Sequence, residues 1–421
     1  AGSPRTQGAA PIGDHKGTDM PEAVIVDVVR TAGGRRNGAL SGWHPVDLAA
    51  ETLKALVDRT GIDPEQVDDV IMGCVMQAGA QALNVGRNAV LAAGWPESVP
   101  STTIDRQCGS SQQAAHFAAQ GVMAGAYDIV VAAGVEVMSL VPMGASIAKG
   151  VGFPFGAAAD RYADVQLIEG HTGLVGQGVS AEIIANEWGL SREDLDAYGA
   201  RSQELAEQAA EQGRFDNEII PVVKKIRDPE TGEVKVLDEM HTRDEGIRPG
   251  TTVEKLANLK PSFIPDGKVT AGNSSQICDG ASAALIMSAE KAKELGLTPR
   301  ARFHTFALAG VDPVRMLTGP IPATQKALER SGLSLDDIDH IEINEAFASV
   351  VLAWEKELKP DMEKVNPNGG AIALGHPLGG SGTKLLATML NELERTGGRL
   401  GLQTMCEGGG MANATIIERL G

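Results

Sequence analysis

At 421 residues, with 43% hydrophobic and 22% charged side chains, the chain suits a soluble globular protein of about two or three domains. A formal net charge of −18 argues against wrapping nucleic acid, where phosphate neutralisation dominates affinity, so any anionic ligand would need a local basic pocket. The four cysteines, Cys74, Cys108, Cys278 and Cys406, are too far apart for a CxxC zinc knuckle and too few for a disulfide framework. They point to a reducing compartment, with a cytoplasmic location and no metal site expected.

Residues 1–19 are polar, mixed in charge and without an apolar core, unlike a secretory signal. They read as a disordered leader or an appended remnant outside the fold. Met20-Pro21-Glu22 then opens onto an apolar run that predicts the first strand. Residues 53–73 (LKALVDRTGIDPEQVDDVIMG) predict a helix, a Gly stop at Gly61, an acidic turn and a strand.

Arg106-Gln107-Cys108-Gly109-Ser110-Ser111 stands between a short extended run and a helix carried by Gln112, Gln113, Ala114, Ala115 and Phe117. A helix N-terminus offers free N–H groups and a partial positive charge, which favour a thiolate and can receive an oxyanion. Cys108 is therefore a candidate nucleophile, although a cysteine there is as readily buried filler. A strand over 129–133 follows, apolar enough to be buried on both faces.

Residues 137–277 follow another pattern and predict an inserted loop or lid domain. A charged amphipathic helix over 191–212 is opened by Ser191 with Asp194 three residues on, a capping pattern. A turn-rich polar stretch covers 227–250.

The first pattern then returns. Residues 324–344 (TQKALERSGLSLDDIDHIEIN) align Gly332 with Gly61 at an offset of 271. The segment after His376 (helical run, Gly397-Gly398-Arg399, strand over 400–405) echoes the segment after Cys108 at an offset of 268. Two matches at nearly one spacing predict two copies of one α/β unit, with sheets flanked by helices.

On this reading His376 takes the place of Cys108 in the second copy, and pseudo-twofold symmetry would bring base and nucleophile together. Alone, it is as readily a turn histidine. Cys406 ends a buried strand and enters Gly408-Gly409-Gly410, whose N–H groups are open to a ligand. A second thiol suggests separate nucleophile and acid/base roles. Asn344 ends the strand over 341–343, either as turn chemistry or as an amide that orients a water or His376.

These residues resemble the thiolases, the acetyl-CoA acetyltransferases and 3-ketoacyl-CoA thiolases, over essentially all of 20–421. The matching motifs are RQCGSSQQA, AGVEVMS, VTAGNSSQICDGASA, GPIPA, INEAFA, NPNGGAIALGHPLGGSG and CEGGGMANA, in family order. The resemblance implies an α/β fold of duplicated halves in five layers (αβαβα) with an inserted loop domain. Residues 20–136 plus 278–298 would form the N-terminal half, 137–277 the CoA-holding insert and 299–421 the C-terminal half.

It also implies roles. Cys108 would carry the acyl group, His376 would activate it, and Cys406 would be the acid/base toward the acetyl-CoA carbanion. Asn344 would hold a water that forms one oxyanion hole with His376; the N–H groups of Cys108 and Gly408 would form the other. Ser275 matches a serine that contacts pantetheine, and Arg248 an arginine near the adenine, though an arginine there is equally a surface charge. Acyl-CoA and CoA would be substrates in a ping-pong cycle, with no permanently bound cofactor, nucleic acid or membrane. A homodimer or homotetramer is implied, with a β-oxidation partner subunit left open.

Three departures bear on specificity. Gly176-Gln177 stands where many short-chain members carry His-Met. Glu407 replaces a small or apolar residue and is expected to point outward. Ala412-Asn413 replaces a pair that more often contains Gly. Together they favour a degradative thiolase of lipid β-oxidation with a longer or bulkier acyl chain over an acetoacetyl-CoA-forming acetyltransferase. A carrier-protein ketosynthase would pair one Cys with two His. A silent thiolase-like subunit would not need Cys108, His376 and Cys406.

Overall fold

The computed structural model describes residues 20–147 and 152–421; the leader expected over 1–19 lies outside the described residues. The first half runs β1 (Ala23–Thr31), α1 (Pro45–Thr60), β2 (Asp69–Gly73), β3 (Ser101–Ile104), α2 (Ser110–Met123) and β4 (Ile129–Val137). Two inserted helices, α3 (Gln177–Glu187) and α4 (Arg192–Glu211), precede β5 (Cys278–Ser288). The second half runs β6 (Ala301–Gly310), α5 (Pro320–Ser331), β7 (His340–Ile343), α6 (Ala348–Leu358), α7 (Ser381–Thr396), β8 (Leu400–Glu407) and β9 (Met411–Arg419).

Local chemistry sets these boundaries. Pro45 opens α1 and Pro320 opens α5, where a missing N–H is harmless. Gly61 and Gly332 stop them at φ 71 and 68, a left-handed conformation that a side chain would strain. Ser191 and Asp194 form the expected capping box on α4.

The strands form one sheet in the order β7-β8-β9-β6-β1-β5-β4-β2-β3. The pairing in the two halves is alike: β2 lies parallel to β4, and β7 parallel to β8, with antiparallel partners beyond. Between the halves, strand pairing runs through Val24 and Ile25 of β1, which meet Arg302 and Ala301 of β6. Strand alternation sorts the apolar side chains into three cores. Val24, Val131 and Leu285 face Leu48, Leu53 and Leu56 of α1. Ile341, Leu402 and Ile416 face Ala323 of α5 and Val350 and Trp354 of α6. Between them, Ile25, Val130, Ile286 and Ile417 cover Ala114 and Ala118 of α2 and Leu386 and Leu390 of α7. The result is helix–sheet–helix–sheet–helix, with α2 and α7 buried at the centre.

These two helices touch closely. A methyl group on Gly382 would meet the Gln112 backbone nitrogen at 2.0 Å, so only glycine fits there. Glu136 at the end of β4 clasps the halves by accepting from the N–H groups of Val75, Met76 and Gly379. The insert is fastened by charge. Arg30 of β1, fully buried, donates to Glu218 at 2.6 Å and to Asp244 at 2.8 and 3.1 Å. Glu218 also accepts from Thr388 of α7, and Asp244 from the Gly33 N–H.

One expectation needs correcting. Helices α2 and α7 start 271 residues apart, not 268. His376 therefore lies three residues upstream of the position equivalent to Cys108. A short 3-10 turn, Leu378–Gly380, separates it from α7. Among the described residues, no helix is long and apolar enough to cross a membrane.

Candidate active site

Cys108 sits two residues before α2, nearly buried among Val75, Met138, Leu378, Leu385 and Met405. The turn before it is strained: Gln107 has φ 49, in the left-handed region. Ser110 Oγ holds that turn by donating to Gln107 O at 2.6 Å and accepting from the Arg106 N–H. Burial pushes the Cys108 thiol up to about 12, and the Glu407 charge adds to this. Opposing them are Gln177 Nε2, 3.9 Å from Sγ, and the backbone N–H groups of Cys108 itself and of Gly408. Two backbone N–H groups thus act on the sulfur.

His376 is brought in by the loop before α7, its backbone N–H donating to Gln276 O. Its Nδ1 lies 2.5 Å from Ser381 Oγ, whose own proton goes to Pro377 O at 2.8 Å. The hydroxyl must therefore accept from Nδ1–H, which leaves the lone pair on Nε2. Asn344 Nδ2 lies 3.4 Å from that Nε2. Burial lowers His376 to about 3, helped by the Lys384 charge, so the ring rests neutral and ready to accept a proton. Cys406 is fully buried near the end of β8. Burial, then the charges of Cys108 and Glu407, push its thiol well above the usual range.

A cavity of about 510 Å³ opens beside these groups. His376, Gln177, Ser275 and Arg248 line it, with Phe263 and Phe347 among its apolar walls. Exposed Arg35, Arg36 and Arg248 also line it, giving an acidic chain the local basic patch that an anionic ligand requires. Met138 and Leu378 belong both to this wall and to the cluster around Cys108.

The structure thus gathers His376, Ser275 and Arg248 on one cavity, sets Asn344 on His376, and places Gly408 and Cys406 near Cys108. Cys108, Cys406, Asn344 and Gly408 are not among the residues that line the cavity. Three features escape the sequence reading. Ser381 fixes the imidazole tautomer; a helix-opening serine after the glycine run was the available signal. Gln177, noted as a departure, reaches the Cys108 sulfur. Glu407 does not point outward: it is completely buried, and among the described residues neither carboxyl oxygen has a hydrogen-bond partner. Alternation along β8 puts it on the face of Gln403 and Met405, toward α2.

Two family models cover the chain: Thiolase, N-terminal domain, over residues 23–290, and Thiolase, C-terminal domain, over 297–419. Among curated relatives, the steroid 3-ketoacyl-CoA thiolase FadA6 of Mycobacterium tuberculosis is 52% identical over 97% of both chains. A 3-ketoacyl-CoA thiolase of Bacillus subtilis is 43% identical over 95% of this chain and 100% of its own. Among solved structures, the Bacillus anthracis acetyl-CoA acetyltransferase superposes with a TM-score of 0.84 at 41% identity, covering 96% of this chain and 100% of that one. With both family models and these relatives matching along its length, the chain belongs to the thiolase family.

Proposed function

We propose that the chain is a CoA-dependent 3-ketoacyl-CoA thiolase of lipid β-oxidation that works through an acyl-Cys108 intermediate. The observation that carries this reading is His376 on the wall of a cavity lined by Ser275 and arginines, with Cys108 packed on Met138 and Leu378 of that same wall and close enough to Cys406 for its charge to be felt there. The Cys108 proton passes to His376 Nε2 and the sulfur attacks the 3-keto carbon. The oxyanion is received by the N–H groups of Cys108 and Gly408. The C2–C3 bond breaks, its electron pair forming the acetyl-CoA enolate, which takes a proton from Cys406. The oxyanion hole of His376 and an Asn344-held water stabilises that enolate. CoA then gives its thiol proton to Cys406 and attacks the acyl carbonyl. The Cys108 sulfur leaves and recovers the proton from His376.

Ser275 is assigned to pantetheine, and Arg248 to the adenine end, with Arg35 and Arg36 as further phosphate partners. The apolar walls and the steroid-acting relative support a long or bulky acyl chain. The acetyl-CoA acetyltransferase neighbour keeps a second reading, an acetoacetyl-CoA enzyme. A kcat/KM that favours the four-carbon substrate over longer 3-ketoacyl-CoAs would select it. A homodimer or homotetramer in the cytoplasm, with or without a β-oxidation partner subunit, completes the proposal; four free cysteines are consistent with that location.

Intact-protein mass spectrometry after brief mixing with acetyl-CoA or a longer acyl-CoA tests the intermediate. One acyl adduct is expected on the wild type and none on Cys108→Ala. An adduct that persists in the variant, or none on the folded wild type with any donor, refutes the assignment. A gentler change probes the tautomer. Ser381→Ala should lower kcat about 10-fold, less than the ~10²–10⁴-fold a general base contributes in full. Wild-type kcat in that variant would mean that the imidazole needs no such anchor.

A further inference from the structure

Glu407 is a buried ionisable group that these steps leave unused. It follows Cys406 directly, is 0% exposed, and has no hydrogen-bond partner on either oxygen among the described residues. Its carboxyl lies against the residue after the nucleophile: a methyl group on Gly109 would meet Oε1 at 2.0 Å and Asn413 Nδ2 at 2.7 Å. Asn413 donates to Gly109 O at 3.0 Å and leaves its Oδ1 buried and unpartnered. Two departures from the family pattern, Glu407 and Asn413, therefore converge on Gly109. A protonated carboxyl needs an acceptor, and Asn413 holds an unused one beside the same glycine.

The charged surroundings are mixed. Arg106 and Asp105 act on Glu407 from the loop before Cys108. Both thiols feel its charge. On α2, His116 is turned to Thr415 Oγ1 at 2.6 Å, and burial lowers it to about 3, so it brings no positive charge. Burial pushes Glu407 up to about 8; Arg106 pulls it down and Asp105 pushes it further up. Its ionised form makes both thiolates costlier.

We propose that Glu407 is a positioning residue: a neutral acid in the working enzyme that, on losing its proton, suppresses the adjoining thiols and so sets the alkaline limit of catalysis. This rests on the reading of Cys108 and Cys406 as the reacting thiols. It deepens that reading by assigning a regulator to the pair.

The test follows carbamidomethylation of Cys108 by iodoacetamide from about pH 6 to about pH 10, read by mass spectrometry, beside the pH profile of kcat. In the wild type, labelling should climb and then flatten as Glu407 ionises. In Glu407→Gln it should keep climbing, with the alkaline limb of kcat moved up by about one pH unit or more. Arg106→Gln removes the attracting charge from a partly exposed site and should move that limb the same way. A folded Glu407→Gln protein with an unmoved limb overturns the proposal. If that variant does not fold, an unmoved limb in Arg106→Gln overturns it instead. A folded wild type that forms no acyl adduct on Cys108 with any donor sinks the nucleophile assignment, and this proposal with it.

Discussion

His376→Ala is expected to lower kcat for thiolysis by about 10²–10⁴-fold without loss of fold. Burial holds the Cys108 thiol at about 12 and the His376 imidazolium at about 3, so the resting pair is thiol and imidazole, both neutral. Neither ionises unaided near neutral pH, and the reaction needs an acceptor already poised with a free lone pair. Ser381 supplies that by fixing the proton on Nδ1. A histidine lowered to about 3 remains an unprotonated base well below the ordinary 6.5, so the acid limb of kcat/KM should lie far under that value. Near-wild-type turnover in the variant, or an acid limb at 6.5 in the wild type, would contradict this account.

Much of this was legible in the sequence, for definite reasons. Gly61 and Gly332 stop equivalent helices because glycine takes a left-handed φ without steric cost, so the repeat could be read from local chemistry alone. The same holds for the Ser191–Asp194 box. The place of Cys108 before a helix was legible because a helix N-terminus is a local feature. His376 was found but placed three residues out of register, since the turn at Leu378–Gly380 has no signature distinguishing it from helix start. The orientation of Glu407 was misjudged because a carboxylate belongs in water by default; the alternation along β8 carried the contrary signal. Arg30, Glu218 and Asp244 were invisible, since the contacts span 188 and 214 residues of chain.

That last cluster carries the largest stability prediction. Arg30→Met should destabilise the protein by about 3–5 kcal/mol, because it leaves two buried carboxylates without their shared cation. In the native protein burial pushes both carboxyls up. Arg30 and Lys384 hold Asp244 below its ordinary range, while Glu218 stays above it even with Arg30 beside it. Without the guanidinium both folded pKa values rise above the unfolded ones. Such groups favour folding fully below the unfolded pKa, and that contribution is lost as pH rises through the folded value. The deficit should thus be large at neutral pH and shrink toward acid, as followed by urea or thermal unfolding. Adding Glu218→Gln and Asp244→Asn should recover much of it at neutral pH. A pH-independent deficit would indicate lost packing against Phe215, over whose ring Arg30 lies at 5.1 Å, rather than stranded charge.

The seam between the halves has a genetic consequence. Cys108 comes from one half; Asn344, His376 and Cys406 come from the other, and a single polypeptide carries all four. Under the proposed roles, a chain without its nucleophile cannot lend an imidazole to a chain without its base, however the copies assemble. Defective alleles that fold should therefore act additively, each costing the cell its own share of flux without rescuing or poisoning the product of the other.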